Sequence, residues 1–288
     1  MIDSNTDLPH EDTQGGQPMP DEGQNAAPDA AAQDSLQDSG ARPAHDASTA
    51  ALDQAAFRAA PQGPREFQHS IQGSPDFARL TVRLPKGGMI RAEASAMISM
   101  DTNISMKTKF KGGLKRFLTS ESLFLNEFKA DQAGGQIEFA NGLPGDIFHY
   151  HLDGSGKALF LQSGAYLAAG ANVEANTKFQ GLVKGFFSGA GLFLIKCEGK
   201  GDVYFNSYGS IIEIDVKDRL VVDNNHIVAF TDGLTYDVRK VAGYKSLFLS
   251  GEGLVTMFSG QGKVWVQTRK FPAFARWVFP FRPVKSKS

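Results

Sequence analysis

The amino-acid sequence predicts an all-β domain of three related repeats, preceded by a disordered acidic N-terminal tail. Three observations predict it. Apolar and polar residues alternate with a period of two across much of 76–270, the signature of half-buried strands. Turn signals punctuate the same stretch at Gly112-Gly113, Asn141-Gly142, Asp153-Gly154 and Asp232-Gly233. One strand pattern also recurs three times in the same order.

The tail comes first. Residues 1–70 hold twelve acids against three bases, a net charge of −9. The other 218 residues hold 27 bases against 19 acids, so a chain near neutrality is an acidic leader joined to a basic body. The first 60 residues are rich in Asp, Gln, Ala, Pro, Gly and Ser. Their large apolar side chains are Met1, Ile2, Leu8, Met19, Leu36, Leu52 and Phe57. So few cannot offset an ordering cost of roughly 1–2 kcal/mol per residue. Within this stretch, 47–60 is compatible with a short transient helix started by Asp46 or Ser48.

The repeats follow. Residues 119–124 (TSESLF), 188–193 (SGAGLF) and 250–255 (SGEGLV) align, each after a pair of apolar residues. Each is followed by a glycine that opens an alternating strand: 135–139 (GQIEF), 201–205 (GDVYF) and 262–266 (GKVWV). Upstream, 88–92 is matched to 164–168 and to 225–229. In the alternating strands Ile137 and Phe139 interleave with Gln136 and Glu138, and Val203 and Phe205 with Asp202 and Tyr204. Such a pattern builds a sandwich, jelly roll or barrel. Each repeat is too small to close a core alone, so all three are expected to share one pseudo-threefold domain over 76–270.

Cys197 is the only cysteine, which excludes an intramolecular disulfide. The N-terminus lacks the basic start and apolar core of a secretory signal, and it is acidic and Arg-poor, unlike a transit peptide. No run of about 18 apolar residues is present to form a spanning helix. A cytoplasmic location is the expectation, with the inner face of the membrane as a peripheral site.

Several of these residues carry a resemblance. Segments 189–194 (GAGLFL), 251–254 (GEGL) and 262–269 (GKVWVQTR), with the loop 143–146 (LPGD), resemble the altered-inheritance-of-mitochondria biogenesis family over about 76–272. The resemblance implies a fold like the tryptophan RNA-binding attenuation protein, a short double-stranded β-helix, and it implies trimers. It carries over no catalytic residue. The pair His149 and His151 departs from the family pattern, where apolar or small residues are commoner.

Chemistry-bearing patterns are sparse. His149 and His151 are two apart and share one strand face, a spacing suited to a metal pair. No third ligand lies near them in sequence, and two surface histidines on an edge strand is the plainer reading. The Gly-x-Gly elements Gly154/Gly156, Gly199/Gly201 and Gly260/Gly262 precede strands rather than helices, so they read as hairpin turns and not phosphate loops. Cys197 reads as buried strand filler. No nucleophile elbow or zinc-protease motif occurs. Neither enzyme activity, nor a cofactor or bound metal, nor a small-molecule substrate is expected.

Two clusters suit larger partners. Lys107, Lys109, Lys111, Lys115 and Arg116, with Phe110 and Phe117 between them, form a candidate polyanion contact, although a solvated strand face has the same appearance. In 271–288, Phe271, Phe274, Arg276, Trp277, Phe279, Phe281 and Arg282 form an aromatic-basic segment. It suits an anionic membrane interface, a subunit interface, or packing onto the domain itself. Pro272, Pro280 and Pro283 exclude a long continuous helix there. The functional expectation is a homo-oligomeric β scaffold, a trimer by preference, in protein or membrane-associated assembly. An RNA- or polyanion-binding module is the alternative.

Overall fold

The computed structural model describes residues 64–110, 124–180, 192–240 and 254–282. Alternating apolar residues place the strands. The first set is β1 (Gln68–Gln72), β2 (Arg79–Leu84), β3 (Met89–Glu93), β4 (Met97–Met100), β5 (Ile104–Phe110), β6 (Phe124–Ala130) and β7 (Gly135–Ala140). The second is β8 (Ile147–Asp153), β9 (Leu159–Gln162), β10 (Tyr166–Gly170), β11 (Val173–Gln180) and the long β12 (Leu192–Asn206). The third is β13 (Ile211–Val216), β14 (Arg219–Asp223), β15 (Ile227–Thr231), β16 (Leu234–Lys240), β17 (Leu254–Gly260) and β18 (Gly262–Gln267). Helix α1 (Phe271–Val278) and a 3-10 turn, Phe279–Phe281, follow.

The strands pair into an antiparallel four-stranded sheet (β1-β2-β7-β4), an eleven-stranded sheet running from β13 to β5, and a three-stranded sheet (β14-β17-β16). The all-β class expected from the sequence is therefore the one observed. β4, β10 and β15 each meet a partner through a bulge, between Met97 and Ser99 against β7, between Tyr166 and Ala168 against β12, and between Ile227 and Ala229 against β18.

Three corners depart from the hairpin reading; at Gly154 and Gly156, β8 leads into β9 without pairing with it. Gly199 and Gly201 do not close a hairpin; β12 runs through both and changes partners there. Before them it pairs with β11 and β9, and after them with β8 and β10. Gly199 sits at φ +116 with its α-carbon so close to Asn172 that an added Cβ would lie 2.2 Å from that carbonyl oxygen. Only glycine accepts both constraints. Likewise Gly260 and Gly262 flank a corner between β17 and β18, which pair with different strands rather than with each other.

The domain also begins earlier than composition implied. The boundary at residue 70 falls inside β1, and Phe67 is buried in the core beside Leu80, Val82 and Tyr204. Phe67 in the core, the β1–β2 ladder and the Asp202 hydrogen bonds described below together hold this stretch in place. The rest of the tail, including 47–60, lies outside the described residues, as do Lys111, Lys115, Arg116, Phe117 and 283–288.

Three apolar clusters fill the interior. One packs around Phe128, Ile137, Phe139 and Tyr204; one around Trp265, Phe205 and Tyr166; one around Phe230 and Phe258. Because side chains alternate along a strand, β12 sends Tyr204 into the first cluster and Val203 and Phe205 into the second. Its opposite faces thus serve two packing layers, and Asp202 shares the face of Tyr204.

A buried histidine–aspartate cluster and an exposed aromatic helix

The register of β8 on β12 sets Asp202 opposite His151 and Tyr204 opposite His149. Directly opposed residues on one face lie within side-chain reach. The side chain of Asp202 is wholly buried, and its Oδ1 receives His151 Nδ1 at 2.8 Å and His149 Nε2 at 2.9 Å. Its Oδ2 accepts the backbone amides of Glu66 and Phe67, each at 2.9 Å, and the Tyr204 hydroxyl at 3.2 Å. The amide of Asp202 in turn donates to Glu66 Oε2 at 3.3 Å. A buried carboxylate is tolerated when its oxygens are this fully bonded.

β1 supplies a third imidazole. His69 is buried, its ring 4.3 Å from that of His149 and 5.1 Å from that of Tyr204. Its Nδ1 lies 3.3 Å from the Phe67 carbonyl, which assigns the proton to Nδ1 and the lone pair to Nε2. Ligand atoms of His69, His149 and Asp202 all lie within 4.8 Å of one another. Desolvation, with the neighbouring His149, pushes the His69 pKa down to about 4, so the ring is neutral. Burial alone would raise the Asp202 carboxyl, but hydrogen bonds from His149, His151 and the Phe67 amide outweigh it and hold the group well below the usual carboxylate range. Glu66 is raised, chiefly by burial.

This cluster joins residues 66, 69, 149, 151, 202 and 204, and the sequence showed only His149 and His151. By alternation alone Asp202 is the polar half of a strand, and by composition His69 belongs to the acidic tail.

Cys197 is buried as expected, and desolvation lifts its thiol to about 12. That is the state of an inert thiol. Of the candidate polyanion contacts, Lys107 and Lys109 are two apart on β5, and Lys107 stands opposite Glu127 on β6. The other three lie outside the described residues.

The aromatic-basic segment is located in full up to Arg282. Pro272 takes the first turn of α1, where its missing N–H is harmless. The helix lasts eight residues and gives way to the 3-10 turn, as three prolines required. No residue of either is buried. Phe271, Phe274, Trp277, Phe279 and Phe281 are all among the exposed large side chains, Trp277 at 66% and Phe281 at 75%. The Arg282 guanidinium lies 3.7 Å over the Phe279 ring, and Tyr208 meets Phe274 edge-on at 5.9 Å. Lys270 anchors the helix start to Asp223 at 2.6 Å. Packing onto the domain's own surface therefore leaves most of this aromatic area uncovered. Among the described residues no helix is long and apolar enough to cross a membrane.

Fold and cluster together define an all-β protein of antiparallel sheets with one buried polar knot and one uncovered aromatic helix. The chain belongs to the mitochondrial biogenesis AIM24 family, whose model matches residues 69–269. That span includes His69, His149, His151 and Asp202, and it stops short of α1. An uncharacterised protein of Streptococcus pyogenes serotype M6 is 28% identical over 233 residues, 76% of this chain and 93% of that protein. A crystal structure of a Streptococcus pyogenes protein matches with a TM-score of 0.65 at 27% identity, covering 75% of this chain and 100% of the other.

Proposed function

We propose that the protein is a non-enzymatic β scaffold that docks on an anionic membrane surface through α1 and the turn after it. One observation carries the reading: five aromatic rings are exposed on a short segment that is tied to the domain at Lys270. Residues 269–282 hold four bases, Arg269, Lys270, Arg276 and Arg282, and no acid. Aromatic side chains seat at the headgroup boundary, and cations add roughly 1 kcal/mol each beside anionic lipid, a contribution Lys270 does not make while it holds Asp223. A helix of eight residues is about 12 Å long, too short to span and long enough to lie flat.

In the same proposal the docked unit is a homo-oligomer, a trimer by preference, built on three related strand sets. The bulged pairings of β4, β10 and β15 support a threefold unit in which these three strands correspond. Exposed Ile98, Met106, Ile212 and Val221 are the strand-face candidates for subunit contact.

Flotation with vesicles tests the docking. The full chain is expected to float with phosphatidylserine-containing vesicles, less so in high salt, and the double variant Trp277→Ala, Phe281→Ala at least tenfold less. A wild type that stays with the lipid-free fraction overturns the reading. So does a variant that loses subunits by light scattering, because the aromatic face is then a protein interface.

A further inference from the structure

We propose that His69 Nε2, His149 Nε2 and Asp202 Oδ1 form a binding site for one divalent transition-metal ion of the zinc type. The three residues arrive from β1, β8 and β12, which belong to two different sheets, and their donor atoms converge within 4.8 Å. Two imidazole nitrogens and one carboxylate oxygen are donors that zinc, cobalt and ferrous iron accept, whereas calcium and magnesium prefer oxygen alone.

Two of the three donors, those of His69 and Asp202, are already oriented by a second group, the arrangement that tunes metal sites. Phe67 O accepts a hydrogen bond from His69 Nδ1–H, which leaves Nε2 as the free donor atom of that ring. The amides of Glu66 and Phe67 and the Tyr204 hydroxyl occupy Asp202 Oδ2, which leaves Oδ1 as the oxygen facing the rings. His151 donates to that same oxygen and steadies it from the open side.

The geometry is close to what a metal requires. Bonds of about 2.0–2.2 Å hold tetrahedral donors about 3.3–3.5 Å apart. His149 Nε2 and Asp202 Oδ1 stand at 2.9 Å and need only part slightly, and a separation of up to 4.8 Å elsewhere in the group must close by about 1.3–1.5 Å. Coordination through His149 Nε2 replaces that ring's present hydrogen bond to Asp202 Oδ1. Asp202 offsets one of the ion's two positive charges, and Glu66, which accepts the Asp202 amide at 3.3 Å, is a second carboxylate at the cluster. Entry is from the His149 and His151 side, whose side chains are 20% and 15% exposed.

The test is titration of chelator-treated full-length protein with Zn2+ alone, and separately with Co2+, followed by calorimetry and visible absorption. One ion per chain is expected, with the cobalt form coloured by imidazole coordination. His149→Gln is expected to weaken binding at least about 100-fold, and His151→Gln, one shell out, about tenfold. His69→Gln sits deeper; circular dichroism checks its fold, and if it fails to fold the more exposed His149 variant decides the matter. No binding by the wild type, or equal stoichiometry and affinity in wild type and His149→Gln, overturns the proposal.

Discussion

Asp202 stands directly opposite His151 across the β8–β12 ladder, and the two side chains meet at 2.8 Å. The pairing exists only because β12 bends at Gly199 and Gly201 and exchanges β11 for β8 as its neighbour. Asp202 is the first residue beyond that bend. One carboxylate then ties β8 to β12 through two rings and the entry of β1 to both through two backbone amides.

Asp202→Asn should therefore loosen three elements at once. An amide keeps the shape, but its NH2 must face either the two backbone donors or the imidazoles. Such a buried mismatch is expected to cost about 2–4 kcal/mol, read from the urea midpoint. A change within about 0.5 kcal/mol, the size typical of surface substitutions, means the knot is not structural.

Gly199→Ala tests the corner itself. Its Cβ would meet the Asn172 carbonyl at 2.2 Å at a φ of +116. A loss of about 2–3 kcal/mol is expected, from backbone strain with a clash against immobile main chain. An unchanged denaturation midpoint contradicts the bend.

Trp265 is fully buried against Phe148, Tyr150 and Phe205. Trp265→Ala should cost about 3–5 kcal/mol through the cavity it leaves. The two tryptophans are also separable by acrylamide. Fluorescence of Trp265→Phe, which reports Trp277, should be quenched freely, and that of Trp277→Phe hardly at all.

Glu93 gives a pH signature away from the cluster. Burial raises its carboxyl from 4.5 to about 7. Between those values the folded chain holds a proton that the unfolded chain has released, so stability falls as pH rises through pH 4.5–7. The group is only half-buried, so about 1 kcal/mol is expected across that window. Comparing urea midpoints at pH 5 and pH 8 for the wild type and Glu93→Gln checks it: the variant should lose that part of the pH dependence.

Cys197 should be silent in the folded state. With a thiol lifted to about 12 and no exposed surface, it should resist a thiol reagent at pH 8 and react only as urea unfolds the domain. Rapid labelling of native protein contradicts the burial.

The strands were legible because their signal is local. Ile137 and Phe139, or Val203 and Phe205, announce a buried face by alternation alone, and both pairs are buried. The aromatic segment was legible too, since Pro272 and Pro280 bound the helix from within the sequence. Phe67 and His69 were not legible. They lie beside an acidic, low-complexity stretch, and window averages dilute a lone aromatic there.

Sequence by itself determined the all-β class, the acidic leader, the inert buried cysteine and the aromatic-basic end, because each depends on composition or on residues a few positions apart. Only the tertiary structure decided that His69, His149 and Asp202 meet, and that α1 remains uncovered. Those facts depend on which strands become neighbours and in what register. That choice is made by long-range packing around bends such as Gly199 and Gly201, and no periodicity along the chain encodes the distance between two residues that far apart.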